Sequence, residues 1–201
     1  MQEYIKIQQF GFSEMYEWYN LPNNELRFAK FVTFSKEDPT KIELYGKSAD
    51  DKILGITTIN SIIDSDDPDE WKFKYMITDV GDILLQKEKL AVGTKQYDEN
   101  LELAYIRTYP WEHLIKIQNK GFDATKDYVK RSNREEWIRV NLLGKCIVRD
   151  NGKCVPGGYC TPYVGKLKDQ YGFAVPAKDT DTNKYYVMGR ISDNAILIVN
   201  K

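Results

Sequence analysis

Carboxylates are the side chains best supplied for chemistry here, because 201 residues hold a single histidine and three cysteines. A catalytic triad or a histidine-based zinc site would have His113 alone to work with. Neither a glycine-flanked nucleophile elbow nor a glycine loop for cradling phosphate accompanies it. The familiar hydrolase and oxidoreductase schemes therefore lack their parts. Cys146, Cys154 and Cys160 are an odd number, which reads as small buried thiols in a reducing compartment, with a Cys154–Cys160 bridge left open. Those two fall short of the four ligands a tetrahedral metal needs. Two acidic stretches invite a calcium reading. An EF-hand loop requires Gly at its sixth position and Glu at its twelfth. Counted from Asp64, those positions hold Asp69 and Tyr75; counted from Asp179, they hold Lys184 and Arg190. Both read as solvated turns, so no metal and no cofactor is expected. By position, one carboxylate is singled out: Glu14, in Gly11-Phe12-Ser13-Glu14-Met15-Tyr16-Glu17-Trp18. A carboxylate held beside a peptide bond can act as a general base toward water or a hydroxyl. Composition alone makes Glu14 and Glu17 a solvated face.

The elements that would position these groups read as β. Lys41 to Tyr45 alternates polar and apolar, and follows the Phe28 to Phe34 run across a turn with Asp38-Pro39. Ile53 to Ile59 is β-branched and apolar, as a doubly buried strand would be. Lys145 to Arg149, then Asp150-Asn151-Gly152, then Lys153 to Val155 is the strongest hairpin signal, since Asn-Gly tolerates positive φ. Tyr185 to Ile191 and Ala195 to Val199 form a second such pair around Ser192-Asp193-Asn194. A short helix is expected from Pro110 through Ile115, with proline in its first turn. Gly121 to Trp137 reads as an extended connector. The expected fold is mostly β: a compact single domain of β-hairpins forming a sheet or small barrel, with long extended connectors and few short helices. Residues 1–20 read as an N-terminal segment and 21–201 as the β-rich domain.

Charge and hydropathy remove other classes. The 29 Lys+Arg against 30 Asp+Glu leave a net charge of −1, which supplies no basic field for nucleic acid. The first twelve residues lack the apolar core of a secretory signal, and runs such as Ala195 to Val199 are too short to span a bilayer, so no membrane insertion is expected. Aromatic residues make up 13%, suited to a core, an oligomer interface or a sugar-binding face.

One ordered set of motifs goes further. It comprises Arg134-Glu135-Glu136-Trp137, Val140-Asn141-Leu142-Leu143-Gly144-Lys145, Val148 through Cys154, and Gly158-Tyr159-Cys160-Thr161-Pro162. Asp51 to Gly55, Lys74-Tyr75 with Thr78-Asp79, Asp123 through Arg131, Tyr186 through Arg190 and Asp193-Asn194 extend it, as do Glu17-Trp18, Pro22 to Glu25 and Phe31-Val32-Thr33 upstream. Together they resemble the Peptidase_G2 domain, the self-cleaving intramolecular chaperone domain that ends phage tail-spike and pre-neck appendage proteins. The resemblance covers nearly the whole chain. It implies a homotrimeric viral fibre whose folding the domain assists before cutting itself free. The implied cutting device is an Asp followed three positions later by Glu, with scission just before the Asp. Glu14 matches that Glu, whereas Gly11 stands at the Asp and Phe10 at the preceding small residue. With the partner acid missing, and ten residues before the junction, the expectation is a non-catalytic structural or assembly module of the virion, made in the host cytoplasm. It would pack against itself, as a homotrimer by resemblance, or against other virion proteins. Self-cleavage with Glu14 as the catalytic carboxylate is the alternative, and a carbohydrate-binding module is a further one.

Overall fold

The computed structural model describes residues 11–23, 27–59, 63–67, 71, 74–93, 95–97, 100, 103–106 and 111–200. Its strands are β1 (Gly11–Glu17), β2 (Phe31–Phe34), β3 (Ile42–Leu44), β4 (Ile53–Thr58), β5 (Ile63–Ser65), β6 (Leu85–Leu90) and β7 (Lys95–Tyr97). They continue with β8 (Leu103–Ile106), β9 (Trp111–Lys116), β10 (Trp137–Arg149), β11 (Tyr159–Pro162), β12 (Ala174–Pro176), β13 (Tyr185–Ser192) and β14 (Ala195–Asn200). The helical turns among the described residues are two short 3-10 turns, Arg131–Asn133 and Lys168–Gln170. The expected mostly β fold is what forms.

The chain divides into two compact units, Met1–Asp67 with Val129–Lys201, and Pro68–Tyr128. In the first, the strands run β12-β11-β13-β14-β10-β4-β2-β3 and curl into a half-barrel, with β1 paired to β10 and β5 paired to β1. β10 is the spine, pairing with β1, β4 and β14 and turning alternate residues inward near each of its ends. Ile138 and Val140 belong to one buried cluster with Trp18, Val32 and Ile42. Cys146 and Val148, farther along the same strand, belong to the other with Phe31, Ile56, Val187, Ile196 and Ile198. β1, inside the segment read as N-terminal, pairs with β10 along its whole length and buries Met15.

Two expected hairpins form: β2 with β3, and β13 with β14. The Asn-Gly hairpin does not. Gly152 does take a positive φ of 78°, and the Lys153 N–H donates to the Asn151 side chain at 3.2 Å. Lys153 to Val155 is nevertheless no strand, and the Gly144 to Arg149 end of β10 pairs with β14 instead. The reason lies in Asp150, whose buried carboxylate accepts the Cys154 N–H at 3.1 Å and folds the return segment over itself. β14 meanwhile offers Ile196 and Ile198, both fully buried, as apolar partners.

In the second unit β6 pairs with β9 and β7 with β8. The expected helix from Pro110 to Ile115 is corrected: Trp111–Lys116 is a strand, and Pro110 lies outside the described residues. Cross-strand charge favours the ribbon, with Glu112 within 3.4 Å of Lys89 and His113 within 3.1 Å of Glu88. No described residue between 71 and 128 is buried. From Gly121 to Trp137 the chain is turns and extended segments apart from the Arg131–Asn133 turn, as a connector would be.

Candidate functional site

The Gly11 to Glu14 stretch lies in β1, where strand geometry decides which groups can meet. Gly11 is opposite Gly144, Ser13 opposite Asn141 and Glu14 opposite Val140, with β5 bringing Ser65 alongside Glu14. Alternation places Gly11 on the face of Ser13 and Met15, which are buried, and Glu14 on the other face with Phe12 and Tyr16. On its own face Gly11 has no room. A Cβ there would overlap the Asn141 side-chain amide and come within 2.8 Å of the Leu143 carbonyl oxygen. Asn141 is 3% exposed, and its Oδ1 has no hydrogen-bond partner among the described residues. Phe10, the residue before the junction, lies outside the described residues.

Glu14 is half-buried and already engaged: the Tyr16 hydroxyl donates to its Oε2 at 2.8 Å. Burial, then the Glu14 contact and the charge of Asp66, push the Tyr16 phenol up to about 12. The phenol therefore stays protonated and keeps donating. Glu17 is paired with Lys41 at 2.6 Å. Chemically, β1 presents one carboxylate tied to a neighbouring phenol, and at position 11 no acid beside it.

The acidic stretch from Asp64 is committed to cations and amides. Arg131 pairs with the Asp66 carboxylate, donates to its carbonyl at 2.9 Å and stacks over Trp137. Asp67 accepts the Ser132 N–H at 3.2 Å and lies 3.7 Å from Arg139. Burial raises the Asp67 carboxyl, but those partners outweigh it and the net shift is downward. The Asp64 side chain, Asp69 and Glu70 are not among the described residues. In the other stretch Asp181 accepts the Lys178 N–H at 2.6 Å. Among the described residues no cluster of His, Cys, Asp and Glu has the grouping of a metal site. The three cysteines are free and buried. Contact with the Cys154 thiol and burial push the Cys160 thiol far up, and burial takes Cys146 up to about 12, so neither is a nucleophile.

An ion pair and a buried lysine escaped sequence reasoning. Asp150, 1% exposed, meets Arg190 through two hydrogen bonds of 3.1 and 2.8 Å, and Arg190 also bonds the carbonyls of Cys154, Ser192 and Asp193. The Asn-Gly turn drew attention away from Asp150, although both residues sit in the recognised motifs. Lys30 is fully buried, its ammonium 3.3 Å from the Phe173 ring centroid and 3.2 Å from the Tyr171 carbonyl. Burial and the Arg149 charge push it down to about 7 against Asp169. Nothing local marks a lysine whose cover comes from 141 positions away.

Comparison with known proteins gives one family and one fold. A family model described as Peptidase_G2, IMC autoproteolytic cleavage domain, matches residues 6–189. Among curated proteins none matches. The crystal structure of pre-mature bacteriophage phi29 gene product 12 superposes with a TM-score of 0.67 at 19% identity, over 96% of this chain and 22% of that one. This chain thus spans about a fifth of that protein's length. The C-terminal fragment of the same gene product superposes with a TM-score of 0.64 at 20% identity, over 94% of this chain and 99% of the fragment.

Proposed function

Because this chain belongs to the Peptidase_G2 family of IMC autoproteolytic cleavage domains, we propose that it is a structural or assembly module of a phage particle that no longer cuts itself. The observation that carries this reading is the packing at Gly11. Position 11 lacks a carboxylate, the Asn141 amide fills the space a side chain would need, and Glu14 points to the opposite face with Tyr16 bonded to it. General-base attack at a peptide bond needs the base within hydrogen-bond reach of the reacting group, and an acid partner adds to it. Here position 11 offers no acid partner, and the Tyr16 phenol already claims a lone pair of Glu14 Oε2. The module acts by packing against itself, as a homotrimer, or against other proteins of the virion. Intact mass of the freshly made chain tests the loss of cleavage, and light scattering tests the assembly. The expected results are an uncut chain and a particle of three chain masses. A product beginning at Gly11 would overturn the first, and a monomer at micromolar concentration the second.

The family description favours a second reading, in which Glu14 still serves as the catalytic carboxylate of self-cleavage. Its signature is a Gly11-initiated product that Glu14→Ala abolishes.

A further inference from the structure

We propose that the groove walled by Tyr159 and Tyr186 is a binding site for a neutral saccharide, a function separate from assembly and independent of whether the chain cuts itself. The two tyrosines are direct cross-strand partners on β11 and β13, 56% and 44% exposed, with ring centroids 5.7 Å apart at 70°. The sheet holds both rings in place, so little side-chain freedom is lost on binding. A sugar offers C–H groups on its ring faces and hydroxyls around its rim. Tyrosine matches both, with an apolar ring and a polar tip.

The rings open onto a groove of about 420 Å³ completed by Thr182, Asn183 and Lys184. A second groove of about 570 Å³ shares Thr182 and Asn183 and is lined also by Thr180, Gln170 and Tyr163. The loop between β12 and β13 thus contributes Thr182 and Asn183 to both grooves, the first backed by the tyrosines and the second mixing polar groups with apolar residues such as Val164 and Val175. Its shape is set from within, by the Lys178 N–H on the Asp181 carboxylate and the Lys184 ammonium on the Asp179 carbonyl at 2.8 Å. Thr182 and Asn183 are exposed, and their side chains bond no other described residue. An amide both donates and accepts, which suits paired sugar hydroxyls. Lys178 and Lys184 offset Asp179 and Asp181, so the loop exerts no field favouring a charged polymer.

The test uses the full chain on an array of neutral oligosaccharides that includes maltohexaose, cellohexaose and the N-acetylglucosamine hexamer, with retained glycans titrated by NMR. At least one neutral glycan is retained, and Tyr186→Ala and Asn183→Ala each weaken it by about tenfold or more. Trp71→Ala, in the other unit, leaves it unchanged. Thermal melts of both variants check the fold, and Asn183, an exposed loop residue, decides the matter if Tyr186→Ala unfolds the sheet. Failure of the wild type to retain any neutral glycan overturns the proposal, as does retention that survives both variants.

Discussion

At the scale of single residues, the buried charges decide where the chain is vulnerable. Asp150 has no access to water, and a charge there is tolerable because Arg190 meets both carboxylate oxygens while the Cys154 N–H takes a further lone pair. Removing one partner strands the other. Arg190→Ala should cost about 3–5 kcal/mol in chemical denaturation, whereas truncating Lys89, whose pair with Glu112 is exposed on both sides, should leave stability almost unchanged. Lys30 gives stability a pH slope. Its folded pKa of about 7 lies below the unfolded value of 10.5, so between them the unfolded chain holds a proton that the folded chain has released. Stability therefore rises with pH from 7, by up to about 1.4 kcal/mol per unit. Near pH 9 the buried thiols, which ionise more easily unfolded, begin to oppose it. Denaturation between pH 7 and 9 should show the rise in the wild type and lose it in Lys30→Met. Gly11→Asp, which restores the acid implied by family resemblance, should destabilise by about 1–3 kcal/mol through overpacking against Asn141 and yield no cut product. Glu14 and Gly11 were legible only through resemblance. Asn141, 130 positions from Gly11, was invisible until the fold brought the two together.

At the scale of elements, strands whose own alternation specifies a face were legible, and those chosen by a distant competitor were not. β3 alternates and pairs with its sequence neighbour β2, so reading and structure agree. The Asn-Gly segment contained a real turn, but hairpin formation also needs a return strand. Lys153 to Val155 loses that contest to β14, whose Ile196 and Ile198 are both fully buried. The stretch after Pro110 carries a helix-start signal, and pairing with β6 overrides it. The β10–β14 pairing can be weighed directly. Ile198→Ala should cost about 2–5 kcal/mol. Gly152→Ala, which puts a Cβ on a residue at φ 78°, should cost about 1–2 kcal/mol while leaving β10 paired with β14. Equilibrium unfolding and backbone NMR read the two effects.

At the scale of the molecule, stability is concentrated in one unit. Met1–Asp67 with Val129–Lys201 holds both buried clusters, whereas Pro68–Tyr128 buries none of its described residues and consists of two-stranded ribbons. Ribbons of that kind are marginal in water. Hydrogen exchange should find the slowest amides in β4, β10 and β14 and much faster exchange in β6 and β9. Local strand and turn patterns foretold the β character. The sequence held no trace of the two-unit division, because the second unit differs in burial rather than in residue types. The account as a whole rests on a family fold kept without its cut. Native mass spectrometry of freshly refolded chain, followed over days, addresses that most directly. The account predicts a trimer built of intact 23.4 kDa chains throughout. Accumulation of chains beginning at Gly11, prevented by Glu14→Ala, would contradict it.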